Sequence, residues 1–307
     1  MVRLALIGAG IWGQNYIKTI STLKGVELCW VADNNPRNLL SLENKYATIL
    51  HNWEEKLDIN YLDGVILATK APLLFPYAMK VLSSGLPIMI EKPFTLNLKD
   101  ANTLSKKIRE SNQLILVNHI YLFHPAYEKI KKMIAKNEKI ISITSEGSNW
   151  GPFRDEVSAL WDWSPHDLSL CLDLLGEYPD VIKVIEYESI NSPNKKGAMI
   201  KIFMTFPSGT IVETKVGNIS KNKNRIFKVR LKDRELYFND AEKNKLIEIK
   251  NNNLKPVSIS KDLPLYRAIR LFVSGINGKN DSRFGCNLGL QITNIISTIE
   301  TKINQMK

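Results

Sequence analysis

Directly behind the first apolar run, residues 3–7, stand Gly8, Ala9, Gly10, Ile11, Trp12 and Gly13, followed by a stretch of helical period. A uniform aliphatic run, a glycine-rich turn and a helix in immediate succession specify a strand buried on both faces that turns sharply into a crossover helix. The three glycines have separate duties. Gly8 permits the tight turn, Gly10 lets a pyrophosphate approach the backbone, and Gly13 lets the helix pack closely on the strand, with the helix N-terminus facing the anion. Asp33 closes the second run 20 residues after Gly13, where an acceptor for a ribose diol is expected. The expected cofactor is therefore a nicotinamide dinucleotide. A carboxylate repels a ribose phosphate, so NAD is expected ahead of NADP; Arg37 nearby is the feature that would admit NADP.

Further aliphatic runs at residues 26–32, 64–68, 87–90 and 114–117 alternate with helical stretches at 78–84, closed by Gly85, and at 98–110, and Pro36 after Asn34 and Asn35 marks another helix start. Strands that alternate with helices need parallel crossovers, so this part of the chain is a doubly wound Rossmann sheet. Beyond about residue 138 the texture changes to longer alternating segments at 181–187, 198–206, 210–216, 227–231 and 246–249. Phe227, Val229 and Leu231 alternate with Lys228, Arg230 and Lys232, the signature of a sheet covered on one face, and Pro207, Ser208 and Gly209 read as a hairpin turn. Helices are expected near 126–135, 165–175 and from Leu265 onward. The expected architecture is α/β: a dinucleotide-binding domain over 1–118, then an α+β domain over 119–307, with a large, mainly antiparallel open-faced sheet for substrate binding and oligomerisation.

A chain of 307 residues with 44% hydrophobic and 24% charged residues suits two globular domains and not a disordered or fibrous protein. It has no apolar run near the ~18 residues of a membrane span, and the apolar start carries no cleavage pattern, so a cytoplasmic protein without a membrane partner is expected. Cys29, Cys171 and Cys286 form no metal-type or redox pair. The net charge of +11 is spread over lysines that interleave with Glu and Asp, most densely between Lys221 and Lys255. With no recognition helix or aromatic platform, a nucleic-acid partner is not expected.

Chemistry-bearing residues gather at the carboxyl ends of the parallel strands, where doubly wound folds bind ligands: Gly8, Asp33, Thr69, Lys92 and Asn118 all close strands and converge on one crevice. Glu91, Lys92 and Pro93 follow one such strand; a surface ion pair is the plainer alternative for the lysine. A second constellation is Trp161, Asp162, Trp163, Ser164, Pro165, His166 and Asp167. Ser164 suits an N-cap, Pro165 the first helical position, Asp167 the acid of a capping box and Gly176 the C-terminal cap. His166 would then lie in the first turn, where the helix dipole disfavours imidazolium and leaves a base able to accept a proton. Asp162 would lie before the helix, so its spacing of four from His166 implies no shared face. Capping and packing beside two tryptophans is the alternative these residues allow. His119 and His124 bracket Tyr121 without a third ligand, so metal is not expected, and both histidines, with Tyr121, are candidates to line the cleft. His51 reads as a surface loop residue.

GAGIWG at the first turn, VADNNP at the second, EKP at a later strand and DWSPHD downstream together resemble the glucose-fructose oxidoreductase, inositol dehydrogenase and rhizopine-catabolism family, Gfo/Idh/MocA, over nearly the whole chain. The stretches NHIYLFHPAY and LWDWSPHDLSLCLDLLG resemble most the branch that acts on nucleotide-linked sugars. The resemblance implies an NAD(P)-dependent enzyme that interconverts a secondary hydroxyl and a ketone on a sugar, nucleotide sugar or cyclitol. It assigns catalytic roles to Lys92, Asp162 and His166 and cofactor contacts to Gly8, Gly10, Ile11, Trp12, Gly13, Asp33, Asn34, Ala68, Thr69, Glu91 and Lys92. Trp150, Arg154 and Trp161, in the stretch before the helix, are candidates for aromatic stacking and a phosphate contact, with core packing or surface placement the equal alternative for each. It also implies sheet-to-sheet homodimers or homotetramers. After Thr69 the chain departs from the family, with Lys70 and Leu74 where a proline and a histidine are usual. A non-catalytic NAD-binding sensor or scaffold on the same fold is the alternative that the presence of Lys92, Asp162 and His166 argues against.

Overall fold

The computed structural model describes residues 1–43, 45–192 and 195–306. In its first unit the aliphatic runs become strands β1 (Val2–Ile7), β2 (Val26–Ala32), β3 (Ala47–Ile49), β4 (Gly64–Leu67), β5 (Ile88–Glu91) and β6 (Ile115–Asn118). They form one parallel sheet in the order β3-β2-β1-β4-β5-β6. The order reverses at β1, so the carboxyl ends of β1 and β4 flank the crevice in which such sheets hold ligands. Helices α1 (Ile11–Ile20), α2 (Ala71–Ser83) and α3 (Leu98–Ser111) make crossovers, and Ile7, Val65, Leu67, Ile88, Ile90, Leu74 and Val81 are among the buried side chains of the core. Three local features differ from the sequence expectation. β3 has three residues, none buried, too few for a periodic signal. Pro36–Asn38 is a single 3-10 turn, in which Asn35 Oδ1 accepts the Arg37 N–H at 3.1 Å. In addition, α2 starts at Ala71 instead of 78, because Pro72 fits the first turn, where its missing N–H has no partner to lose.

The second unit contains α4 (Pro125–Met133), β7 (Ser142–Trp150), α5 (Ala159–Leu175), β8 (Val181–Ser192), β9 (Lys195–Thr205), β10 (Ile211–Gly217), β11 (Ile219–Arg230), β12 (Glu235–Asn239), β13 (Leu246–Lys250) and β14 (Asn253–Pro256). Its sheet runs β14-β13-β12-β11-β7-β10-β9-β8 and is antiparallel except for the β7/β10 pair. The turn between β9 and β10 falls where Pro207, Ser208 and Gly209 were expected to make it, with Gly209 at φ +80°. β7 has no counterpart among the expected strands. Its Ser, Thr, Gly and Asn residues carry no apolar alternation, yet it lies inside the sheet, where Ser145 and Thr214 satisfy each other at 2.7 Å.

Helices α6 (Pro264–Ile276) and α7 (Asn287–Met306) complete the chain. The first unit comprises residues 1–118 and 265–290, and the second 119–264 and 291–307. The segment 265–290, expected from sequence with the second domain, thus belongs with the first. There Phe272 and Ile276 pack over Gly64, and the Gly285 N–H reaches the Ile115 carbonyl at 2.8 Å.

The start of α5 also differs from expectation. The helix begins at Ala159, Ser158 is its N-cap and accepts from the Trp161 N–H, and Gly176 closes it at φ +67°, as expected for that glycine. Pro165 lies inside the helix, where its missing N–H removes one backbone bond. A proline after a serine imitates a helix start, which explains the displaced boundary. Ser158→Ala should therefore lower the unfolding free energy by about 1 kcal/mol. Ser164→Ala, at a buried hydroxyl without a hydrogen-bond partner among the described residues, should change it by no more than a few tenths; urea unfolding of both variants checks this.

Candidate active site

The three glycines of the first turn meet different surroundings. Gly8 has φ +103°, and a Cβ there would stand 2.4 Å from the Ala68 carbonyl oxygen. A Cβ on Gly13 would stand 2.0 Å from the Gly8 carbonyl oxygen. Both are required by the protein's own packing. Gly10 is different: it caps α1 at φ −63°, and a Cβ would meet nothing within 4 Å. Neither torsion nor packing demands a glycine at that position, whereas an approaching pyrophosphate would. No acidic residue occupies the first turn of α1 and no side chain caps it, so the amides of Ile11, Trp12 and Gly13 lie at a helix end without a competing anion.

Asp33 lies beside this cradle. Its Oδ2 accepts the Ala9 N–H at 2.7 Å and its Oδ1 the Asn35 N–H at 2.8 Å, which fixes the carboxylate at the end of β2. Gly8, Asp33, Asn34 and Thr69 line a cavity of about 270 Å³ together with Leu50, His51, Asn52, Trp53, Glu54 and Tyr77. The latter six were not singled out as cofactor-site residues, and His51, exposed as expected, contributes to the cavity wall. They come from the loop behind the short strand β3 and from α2, and no local motif marks them. A larger open depression of about 650 Å³ borders Asn112, Leu114 and Gly285, at the amino end of β6 and the opposite edge of the sheet.

Glu91 is buried, and its Oε1 accepts from Trp12 Nε1 at 2.6 Å, Tyr16 Oη at 2.6 Å and Asn118 Nδ2 at 2.7 Å. Burial pushes its carboxyl upward against these bonds and pushes the Tyr16 phenol well above its ordinary value. The carboxylate thus ties α1 to β5 and β6 and fixes the Trp12 indole. Lys92 follows at the carboxyl end of β5 and is half-buried. At the departure from the family pattern, Lys70 is the N-cap residue of α2 and Leu74 is buried in the core.

In the second unit the true start of α5 reverses the expectation for Asp162. Asp162 and His166 are both helical and one turn apart, so they share a face. Asp162, not His166, is in the first turn, and the dipole argument for His166 does not hold. Asp162 Oδ2 accepts from Arg154 Nε at 3.2 Å, which engages the arginine proposed for a phosphate. Tyr121 packs edge-on to His166 with ring centroids 5.2 Å apart. The Arg225 guanidinium lies 3.8 Å from the Tyr121 ring centroid and bonds Asp167 Oδ2 at 2.8 Å. Asp167 is therefore the buried partner of an arginine and not a capping acid; burial raises its carboxyl and Arg225 opposes the shift. His124 caps α4, its Nδ1 accepting the Ala126 N–H, and its Nε2 lies 3.2 Å from Asp240. Hydrogen bonds from His124 and Lys245 hold Asp240 well below the usual carboxylate range.

Other candidates are placed elsewhere. His119 is buried. Trp161 is 4% exposed and donates from Nε1 to Glu300 at 3.0 Å, so its indole serves packing. Trp150 packs edge-on against Phe153, with the Lys195 ammonium over its ring. Among the described residues no group of three or more His, Cys, Asp and Glu is arranged to hold a metal ion, and no helix is long and apolar enough to cross a membrane.

A doubly wound sheet with this cradle defines a dinucleotide-binding oxidoreductase. Residues 2–119 match the profile of an oxidoreductase family with an NAD-binding Rossmann fold. Over that segment the chain is similar to the Gfo/Idh/MocA family, and it binds a nicotinamide dinucleotide. It is 22% identical to the UDP-N-acetylglucosamine 3-dehydrogenase of Acidithiobacillus ferrooxidans, over 76% of this chain and 72% of that one. It is 28% identical to the NAD-dependent scyllo-inositol 2-dehydrogenase of Bacillus subtilis over 45% of this chain and 41% of that one. The solved structure of an oxidoreductase from Magnetospirillum magnetotacticum superposes with a TM-score of 0.88 at 28% identity, covering 97% of this chain and 99% of that chain.

The glycine geometry separates two outcomes. Gly13→Ala should destabilise the protein by about 1–3 kcal/mol, as overpacking does. Gly10→Ala should melt within a degree or two of wild type, given the open space, yet bind NAD at least about tenfold more weakly. Thermal melting and NAD titration of both variants check the pair.

Proposed function

We propose that the protein is an NAD-preferring dehydrogenase or reductase that interconverts a secondary hydroxyl and a ketone on a nucleotide-linked sugar or a related polyol. The observation that carries this reading is the pairing of Asp162 and His166 one turn apart on α5 in a chain whose other unit presents the Gly10 and Asp33 cradle. The relative that acts on UDP-N-acetylglucosamine, matched over three-quarters of this chain, supports a nucleotide sugar; the inositol dehydrogenase supports a cyclitol as the related alternative.

When bound, the nicotinamide supplies the acceptor, or in reverse the donor, of a hydride. His166 takes the hydroxyl proton during oxidation and returns it during reduction. Lys92 stabilises negative charge that develops on the substrate oxygen, and Asp162 orients the reacting group. Asp33 accepts hydrogen bonds from the adenosine ribose diol. We further propose assembly into homodimers or homotetramers through the second sheet. Val181 and Ile211, both about two-fifths exposed, flank Thr205 in register on one face, and a change in mass on light scattering of a Val181→Lys/Ile211→Lys variant tests this.

Incubating the protein with NAD and a panel of nucleotide sugars and cyclitols, and following NADH absorbance, should identify the substrate. With it, His166→Ala or Asn should lower turnover roughly 100-fold or more at nearly unchanged NAD affinity, and Lys92→Ala should do similar damage, with melting temperature measured on the same samples. Near wild-type turnover by a folded His166 variant that binds NAD would remove His166 as the base. Titration of both cofactors should show tighter binding of NAD than NADP, and Asp33→Ala should narrow that difference; a clear preference for NADP would show that Arg37 and the neighbouring amides dominate.

A further inference from the structure

The proposed reaction leaves unused a deeply buried ion pair of the second unit, Asp167 with Arg225. Arg225 lies on β11 in register with Gly147 of β7, and a Cβ at Gly147 would stand 2.2 Å from Arg225 Nη1 and 2.6 Å from Asp167 Oδ2. β7 thus lacks a side chain where the arginine lies across it. From that bed the guanidinium reaches Asp167 at 2.8 Å and lies 3.8 Å from the centroid of the Tyr121 ring. Tyr121 in turn meets the His166 imidazole at 5.2 Å with the planes 86° apart.

His166 and Asp167 are consecutive residues of α5, so these contacts close a circuit. It runs from the helix through Asp167, Arg225 and Tyr121 to His166 and back to the helix. An imidazole has two side-chain torsions, and a ring packed edge-on against a neighbour that is itself fixed on one face is restricted in the orientations it can take. A pair serving stability alone would need only its own hydrogen bonds, whereas this arginine also lays one face on an aromatic ring. Replacement of a buried ion pair by apolar side chains often leaves stability unchanged or raises it, so stability alone does not account for such a device.

We propose that Arg225 is a positioning residue that holds the His166 imidazole in its reactive orientation through the ring of Tyr121, with Asp167 fixing the guanidinium plane. The proposal rests on reading His166 as the proton-transfer group. Arg225→Lys keeps a charge for Asp167 but loses the planar group over the ring. Tyr121→Leu removes the ring without touching the ion pair, and Tyr121→Phe keeps it.

With the substrate found in the NADH screen, Arg225→Lys and Tyr121→Leu should each lower kcat about tenfold or more, with the Kd for NAD within about twofold of wild type. Tyr121→Phe should lose at least about tenfold less turnover than Tyr121→Leu. In parallel, the imidazole carbon–proton NMR signals of His166, assigned by their absence from His166→Ala, should shift or broaden in Arg225→Lys and in Tyr121→Leu. If both variants melt like wild type and turn over within twofold of it while His166→Ala stays slow, positioning is overturned and the base stands. If His166→Ala is fully active, the base is overturned and the NMR signals decide on positioning: unchanged signals in Arg225→Lys reject it. If Arg225→Lys fails to fold, the contrast between Tyr121→Leu and Tyr121→Phe carries the same decision.

Discussion

Between α1 and the first turn there is no room for a single carbon atom. The Gly8 carbonyl oxygen stands 2.0 Å from where a Cβ of Gly13 would be, and the Ala68 carbonyl oxygen stands 2.4 Å from where a Cβ of Gly8 would be. This contact sets how near the helix end approaches the carboxyl ends of β1 and β4, and the rest of the first unit's chemistry is arranged around it. The Ala9 amide can reach the Asp33 carboxylate only because the turn is this tight, and the Trp12 and Tyr16 side chains reach Glu91 only because the helix lies this low. One backbone clearance thereby connects three strand ends.

The second unit achieves fixity by a different physical route. Its central strand is rich in serine, and α5 carries an aspartate and a histidine on one face and a buried carboxylate on the next residue round. A buried guanidinium satisfies that carboxylate and supports an aromatic ring at the same time. The low dielectric around Asp167 makes its neutral form more favourable than in water, and the arginine opposes that tendency. Backbone clearance in one unit and paired burial in the other thus hold the groups assigned to cofactor and to proton transfer.

Legibility followed the range of the interactions. The parallel strands stood out because burial on both faces demands uniform aliphatic runs, and the glycine cradle stood out because each glycine answers a local need. β7 was not legible, since its Ser145 is satisfied by Thr214 from a strand 69 residues away. Pro165 displaced the apparent start of α5 by imitating the signal of a helix N-terminus, and with it hid the shared face of Asp162 and His166. Arg225 lies 58 residues from Asp167 in a lysine-rich stretch and carries no motif. The cavity wall behind β3 was hidden because a three-residue edge strand has no period to detect.

The return of residues 265–290 to the first unit has a consequence for biosynthesis. β6 is the outer strand of the parallel sheet, and the segment around Gly285 lies along it, bridging Leu116. During synthesis residues 1–264 leave the ribosome before this cover exists, so the unit that holds residues 1–118 is completed only after most of the second unit has been made. Until then β6 offers unpaired backbone groups to any neighbouring nascent chain, the condition under which edge strands pair wrongly.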